Sequence, residues 1–332
     1  MEVFPMADLK SSGMITITFD DALVCQFDNG YPLLRQHGVK GVMYVTTGLV
    51  GQWYEGQRCM SLSQLHELAD AGWEIGSHTV SHPKLASGER TKLPVTALEA
   101  ELRESRDWLL ANGFSVISFA YPYGSYNDEV AKIARSYYRY ARTCDRGLNE
   151  VSSANTKLKR FNLCHRNLSQ WKSAVDSAAL LNKWLIAMIH SVTESESEIP
   201  SGKEGLYISK TQLAECVQYA QCSGLPVRTV QEVYDLYADL PESVETTAVP
   251  SQQPAAGVDI KVEFNGPMAG VTVRDERRGF KLKFQHNSTE KRAILSEISK
   301  RTAFDLALSV AEIEKLARFE IRGGNTAVGG FA

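Results

Sequence analysis

The sequence predicts an α/β barrel followed by a small β-rich region, and three observations carry that prediction. From residue 14 to residue 240, short apolar runs alternate with helical patterns, the order expected of repeated βα units around a parallel sheet. The residues best suited to chemistry fall directly after those runs, and (β/α) barrels gather their sites on loops at the C-terminal ends of strands. Beyond residue 257 the apolar period changes to two, as in half-buried strands.

Residues 1–13 read as an N-terminal extension. They hold no basic stretch followed by a long apolar one, so no secretory signal is visible, and no later run reaches the roughly 18 apolar residues of a membrane span. By sequence the protein is expected in the cytoplasm unless another route exports it. The first strand is Met14-Ile15-Thr16-Ile17, running into Thr18-Phe19-Asp20-Asp21. Side chains alternate along a strand, so Asp20 and Asp21 can share a direction only if the strand ends there. Further strands are predicted at 41–45, 73–77, 116–120, 140–143 and 184–189. A helix over 61–71 opens on Ser61 with Gln64 three residues on, a capping-box pattern. Leu98, Leu102 and Leu109 form one stripe of a helix over 95–111 and are expected in the core.

The domain expected over 14–240 ends in a linker, 241–257, rich in Pro, Ser, Thr, Gln and Ala. In 258–332 the runs from Val258 to Phe264, Val271 to Val273, Phe280 to Phe284 and Phe304 to Leu308 predict a small antiparallel β domain, a candidate glycan-binding or homo-oligomerising module.

Asp20 and Asp21 stand far in sequence from His78-Thr79-Val80-Ser81-His82-Pro83. If that second segment is helical, His78 and His82 share one face and Pro83 stops the turn. One carboxylate and two imidazoles suit a divalent ion, zinc foremost with cobalt or nickel as substitutes. Asp21, His78 and His82 are the expected ligands. Asp20 is then left as a general base for a metal-bound water.

Thr18 to Asp21 and His78 to Pro83 resemble the first two motifs of the polysaccharide deacetylases, the NodB-homology group also called carbohydrate esterase family four. Phe119-Ala120-Tyr121-Pro122-Tyr123-Gly124 is similar to the third motif, in the form shown by biofilm poly-N-acetylglucosamine deacetylases, and Ile189-His190 is similar to the fifth. The resemblance covers residues 14–238. It implies a distorted (β/α) barrel of seven or eight strands and a metal-dependent hydrolase that removes N-acetyl groups from an acetylated glycan. Rival readings are another C–N amide hydrolase, an O-acetyl esterase, or a glycan-binding protein without catalysis. The resemblance also assigns the Tyr123 backbone N–H to the oxyanion and His190 to protonation of the leaving amine. Tyr121, Pro122, Tyr123 and Tyr126 are the expected substrate wall, with Trp53 and Tyr54 as further aromatic candidates.

Three positions depart from the family pattern. The arginine that orients the catalytic aspartate in many members is replaced by Ala120 or Tyr121, and Arg160 is expected to take its place from a neighbouring strand, with Arg166 as the other candidate. The fourth-motif aspartate has no clear counterpart, since Trp171 is present but Asp176 falls on a predicted helix, and the aspartate that usually follows the fifth-motif histidine is here Ser191.

A net charge of −3 gives no general drive toward nucleic acid or an anionic membrane, and suits a neutral or cationic glycan. Six cysteines without C-x-x-C spacing predict buried thiols rather than a disulfide framework or a zinc cluster.

Overall fold

A computed structural model describes residues 13–151 and 154–237, together with the backbone of four strands at 258–265, 268–275, 280–286 and 317–322. Seven parallel strands close into a barrel: β1 (Met14–Phe19), β2 (Val42–Val45), β3 (Glu74–Ser77), β4 (Ser118–Ala120), β5 (Tyr140–Arg146), β6 (Asn155–Asn162) and β7 (Trp184–Ile189). Neighbours around the barrel are neighbours in sequence, and β1 closes the ring by pairing with both β2 and β7. Six of the strands fall on the predicted apolar runs. The remaining one, β6, is the strand that periodicity obscures: its pairing to β5 is irregular, and it carries Lys157, Lys159 and Arg160.

Every residue of β1 and β7 is buried, as expected where helices cover the outside of a parallel sheet. Helices α1 (Tyr31–Gln36), α2 (Leu62–Asp70), α3 (Val95–Ala111), α4 (Asp128–Ala134), α5 (Leu168–Leu181), α6 (Lys210–Cys222) and α7 (Val230–Tyr237) follow in order. α2 begins at the Ser61–Gln64 capping box read from the sequence, and α3 buries Leu98, Leu102 and Leu109 completely. Each of those leucines contributes about 1.5–3 kcal/mol by leaving water.

The barrel interior is filled by Met14, Tyr44, Tyr140, Leu158, Trp184 and Ile186, and Val230, Val233 and Tyr237 of α7 pack into the same cluster. Met14 and Trp184 begin their strands, so α7 plugs the N-terminal end. The opposite end is left for chemistry. Gly76 makes this interior possible, because a Cβ there would stand 2.6 Å from the Tyr44 ring.

Near the plugged end Glu74 is buried, accepting hydrogen bonds from Ser118 Oγ at 2.5 Å and the Gln231 amide at 2.6 Å. Burial outweighs those bonds and pushes its carboxyl up to about 7. The folded state therefore holds this proton more tightly than the unfolded one. The resulting stability is full below the ordinary glutamate range and is lost as pH rises through about 7. Glu74→Gln keeps the shape without the titration, so its melting temperature should gain on that of the wild type between pH 5 and pH 8. Parallel melting curves for the two proteins across that range would refute the assignment.

The C-terminal strands β8 (Val258–Asn265), β9 (Met268–Asp275) and β10 (Phe280–His286) form the expected antiparallel run. The fourth strand corrects the expectation: β11 (Ala317–Arg322) pairs parallel with β8, so the sheet is mixed, in the order β10-β9-β8-β11. The predicted strand from Phe304 to Leu308, the N-terminal extension 1–12 and the linker lie outside the described residues. No described helix is long and apolar enough to cross a membrane. All six cysteines are free; Cys59, Cys164 and Cys216 are buried, whereas Cys222 is exposed against expectation.

Candidate active site

β1 ends at Phe19, and the chain turns so sharply that Asp21 sits at φ 73° and Ala22 at φ 51°. This left-handed turn lets two successive aspartates reach the same mouth, as a continuing strand could not. The segment after β3 is bent in the same way, with Thr79 at φ 68° and His82 at φ 60°. It is not helical, so the histidines converge through a strained loop rather than along a helix face. Glu101 of α3 braces that loop: Oε2 accepts from the Val80 and Ser81 amides, and Oε1 from Ser81 Oγ. Tyr123 after β4, at φ 58°, is another non-glycine residue in this region. Left-handed conformations cost such residues free energy and cluster where function demands them.

Asp21 Oδ1 lies 3.6 Å from His78 Nε2 and 3.4 Å from His82 Nε2, and the two nitrogens are 3.1 Å apart. Ligands at 2.0–2.1 Å from a tetrahedral zinc stand about 3.3 Å from one another, so this triangle has the right size. Asp21 Oδ1 is buried with no hydrogen-bond partner. A cation would satisfy it. Each imidazole has its other nitrogen engaged, His78 Nδ1 by the Ala120 carbonyl at 2.7 Å and His82 Nδ1 by Tyr54 Oη at 2.8 Å, which leaves both Nε2 atoms free to donate a lone pair. Burial drives His78 down to about 4, and burial with the neighbouring His78 drives His82 down to about 3, so both are neutral at neutral pH. Burial, then Asp20 and Glu55, push Asp21 up to about 8. The donor set thus fits a divalent ion in chemistry and in spacing.

Asp20 is in the opposite state. Burial pushes its carboxyl up, but the Arg142 guanidinium, with His78 and His190, more than offsets this and holds it below the usual carboxylate range. Arg142 Nη2 donates to Asp20 Oδ1 at 2.6 Å and Oδ2 at 2.5 Å, and both side chains are buried. Arg142 is fixed further by Nη1 bonds to the Thr143 carbonyl and Met188 Sδ, both at 3.1 Å. This corrects the expectation for Arg160: the guanidinium on Asp20 comes from β5. Arg166 is exposed and pairs with Glu204 at 3.3 Å. The signal for Arg142 was an arginine within the predicted strand Tyr140-Ala141-Arg142-Thr143, a residue type almost never buried without a charged partner.

His190 Nε2 lies 4.0 Å from Asp20 Oδ2. Burial lowers its pKa while Asp20 pulls the other way, and its Nδ1 is buried without a partner. Asp176 instead takes a hydrogen bond from Tyr219 on the helical exterior, and Trp171 bonds the Cys216 carbonyl. Neither meets His190. Gln26, which carries no motif in the sequence, joins the loops that hold Asp20 and His190 by donating to the carbonyls of both residues.

The expected substrate wall divides. Tyr123 is 53 % exposed, its ring 4.5 Å from that of His82 and its hydroxyl 3.0 Å from that of Tyr54. Tyr121 and Pro122 are buried, Tyr121 donating to the Thr156 carbonyl, and Tyr126 stacks on Tyr121 and bonds Asp145. These three support the turn from behind. The amides of Gly124 and Ser125 are bonded back to Tyr121 and Pro122, and among the described residues no acceptor takes the Tyr123 amide.

Residues 8–141 match the sequence profile of the family described as polysaccharide deacetylase. YxkH of Bacillus subtilis is 28% identical over 141 residues, 41% of this chain and 47% of that protein. A poly-beta-1,6-N-acetyl-D-glucosamine N-deacetylase of Staphylococcus aureus strain MRSA252 is 31% identical over 122 residues, 35% of this chain and 42% of the relative. The chain thus spans less than half the length of these curated relatives. Among solved structures, the Streptococcus pyogenes deacetylase PplD in complex with acetate is 28% identical, covering 45% of this chain and 63% of that one with a TM-score of 0.40. Residues 8–141 are thus similar to the polysaccharide deacetylase family, the one that the sequence motifs resemble.

Proposed function

We propose that this protein is a metal-dependent N-deacetylase that releases acetate from the acetamido sugars of a glycan. The observation that carries the reading is the pair of adjacent carboxylates in opposite electrostatic states. Asp20 is ionised in the grip of Arg142, and Asp21 presents an unpartnered oxygen to two neutral imidazoles. A divalent ion held by Asp21, His78 and His82, zinc by preference, would supply Lewis-acid activation of water and of the acetamide carbonyl.

Asp20 accepts the proton of the attacking water, and Arg142 keeps its carboxylate ionised and turned for that task. The Tyr123 amide, presented by the left-handed turn, donates to the oxyanion that develops on the carbonyl. His190 passes a proton to the departing amine. Burial lowers its pKa, so it is neutral at rest near neutral pH, and at 4.0 Å from Asp20 it is placed to take up the proton that Asp20 has accepted and hand that proton to the amine. The carbon–nitrogen bond then breaks, leaving acetate and a free amino sugar. The name of the Staphylococcus aureus relative supports β-1,6-linked N-acetylglucosamine as the first substrate to try.

Acetate release should be measured over chitooligosaccharides, poly-N-acetylglucosamine, peptidoglycan and acetylated xylan, with and without chelator. Release from an amide-bearing glycan, abolished by chelator and restored by zinc, is the expected result. Release from acetylated xylan alone would make the enzyme an O-acetyl esterase, and no release from any substrate with metal restored would sink the proposal. Asp20→Asn should retain bound metal while turnover falls by about 10²–10⁴-fold, the usual worth of general acid–base catalysis. Loss of the metal in this variant would instead place Asp20 among the ligands.

A further inference from the structure

With Asp20 served by Arg142, the second cation of this region, Arg160, has no role in the mechanism above. Its place in the barrel gives it one. Phe161 faces outward, its ring centroid 5.6 Å from that of Trp171 on α5. Adjacent strand residues face opposite sides, so Arg160 turns away from the Trp171 side that Phe161 meets. Leu158 pairs with Arg142 and Arg160 with Arg146, so Arg160 stands nearer the C-terminal mouth than the level from which Arg142 reaches Asp20.

Arg160 is half-buried, its Nε is buried without a partner, and among the described residues no carboxylate pairs with it. Its charge is felt by His190, which places it on the catalytic side. Other cations near the mouth are engaged differently, Lys84 over the ring of Tyr123 and Arg142 in its pair with Asp20. A buried, unpartnered Nε on a charged side chain is costly, and the cost is relieved when an anion docks. The planar fork of arginine matches a carboxylate in two-point geometry. A wholly neutral substrate gives no reason for an uncompensated cation at this point.

We propose that Arg160 forms a carboxylate-binding site at the mouth of the barrel, taking either the acetate that the reaction releases or a carboxylate carried by the substrate beside its acetamide. The site rests on the deacetylase reading for the source of the carboxylate, and its existence is measurable without turnover.

The first measurement is acetate binding to the full chain by ¹³C line broadening, in wild type, Arg160→Gln, Arg160→Lys and the control Arg166→Gln. Arg160→Gln should weaken acetate binding by about tenfold to a hundredfold, the usual worth of a hydrogen bond to a charged group, with Arg160→Lys intermediate and Arg166→Gln equal to wild type. The second measurement compares kcat/KM on an acetamido sugar bearing a carboxylate with that on its neutral counterpart. A fall in that ratio in Arg160→Gln identifies a substrate carboxylate. Weakened acetate binding and product inhibition at a constant ratio identify the released acetate. If acetate binding, inhibition and the ratio in Arg160→Gln all match those of Arg166→Gln, while far-UV circular dichroism shows both variants folded, the site does not exist. Acetate binding that depends on Arg160 in a protein that releases no acetate from any glycan would overturn the deacetylase reading and leave the site standing.

Discussion

His78→Ala and His82→Ala should each abolish stoichiometric zinc binding and reduce acetate release to background while the barrel stays folded. Each removes one of three converging ligand atoms, and neither histidine is part of the core that joins the barrel to α7. A catalytic ion held by loops contributes little to folding, unlike a structural zinc whose removal unfolds its domain. The loss in affinity should exceed the roughly 10–100-fold that follows from losing only an outer partner of a metal ligand. Tyr54→Phe, which removes the partner of His82 Nδ1, sets that lower scale in the same protein. Metal content after dialysis, melting temperature and turnover should be read together. Full activity in either histidine variant, or in metal-stripped wild type, would remove the metal from the mechanism.

Both ends of this site were legible in sequence for a physical reason. A strand that ends on two carboxylates is a local pattern, and so is a pair of histidines four residues apart, because each depends only on its own backbone. The means of convergence was less legible. Imidazoles at i and i+4 have the helical spacing, yet Thr79 and His82 take left-handed conformations that no propensity favours, and the loop is held instead by Glu101 of a helix downstream. Tyr121 and Tyr126 show the same limit from the other side: aromatic residues next to a motif suggest a sugar platform, but their rings stack on each other and their hydroxyls are spent on Thr156 and Asp145.

Arg142 was hidden most deeply, because its partner lies 122 residues away on a strand that is not a neighbour in the barrel order. Motif spacing carries no information about a contact across the interior. Arg160 stands out in sequence among the charges of Lys157 to Phe161, whereas Arg142 lies within Tyr140-Ala141-Arg142-Thr143, itself a predicted strand. Closure supplied what the pattern lacked: once β5 faces β1, an inward arginine on the former meets the carboxylate that ends the latter.

The largest effect on stability should come from breaking that contact. Arg142→Met keeps an apolar stem of similar length and removes the charge, leaving Asp20 buried without compensation. Removing one partner of a buried pair costs about 3–5 kcal/mol, because the remaining charge is still out of water. Asp20 should then bind its proton more tightly, since burial would no longer be opposed by the guanidinium. The sign of the pH dependence follows. In wild type the Asp20 carboxyl is depressed, so its contribution to stability is full above the ordinary aspartate range and is lost as pH falls. In Arg142→Met the order reverses, and the variant should recover part of its lost stability as pH falls and Asp20 becomes neutral. Turnover should fall as well, because a protonated Asp20 cannot accept the proton of water. The double variant Asp20→Asn with Arg142→Met removes the orphaned charge, and should be more stable at pH 8 than Arg142→Met alone. If the double variant is no more stable than the single one, and denaturant unfolding of the single variant is insensitive to pH, then Arg142 packs beside Asp20 without setting its charge, and the assignment of Asp20 as an ionised base loses its structural support.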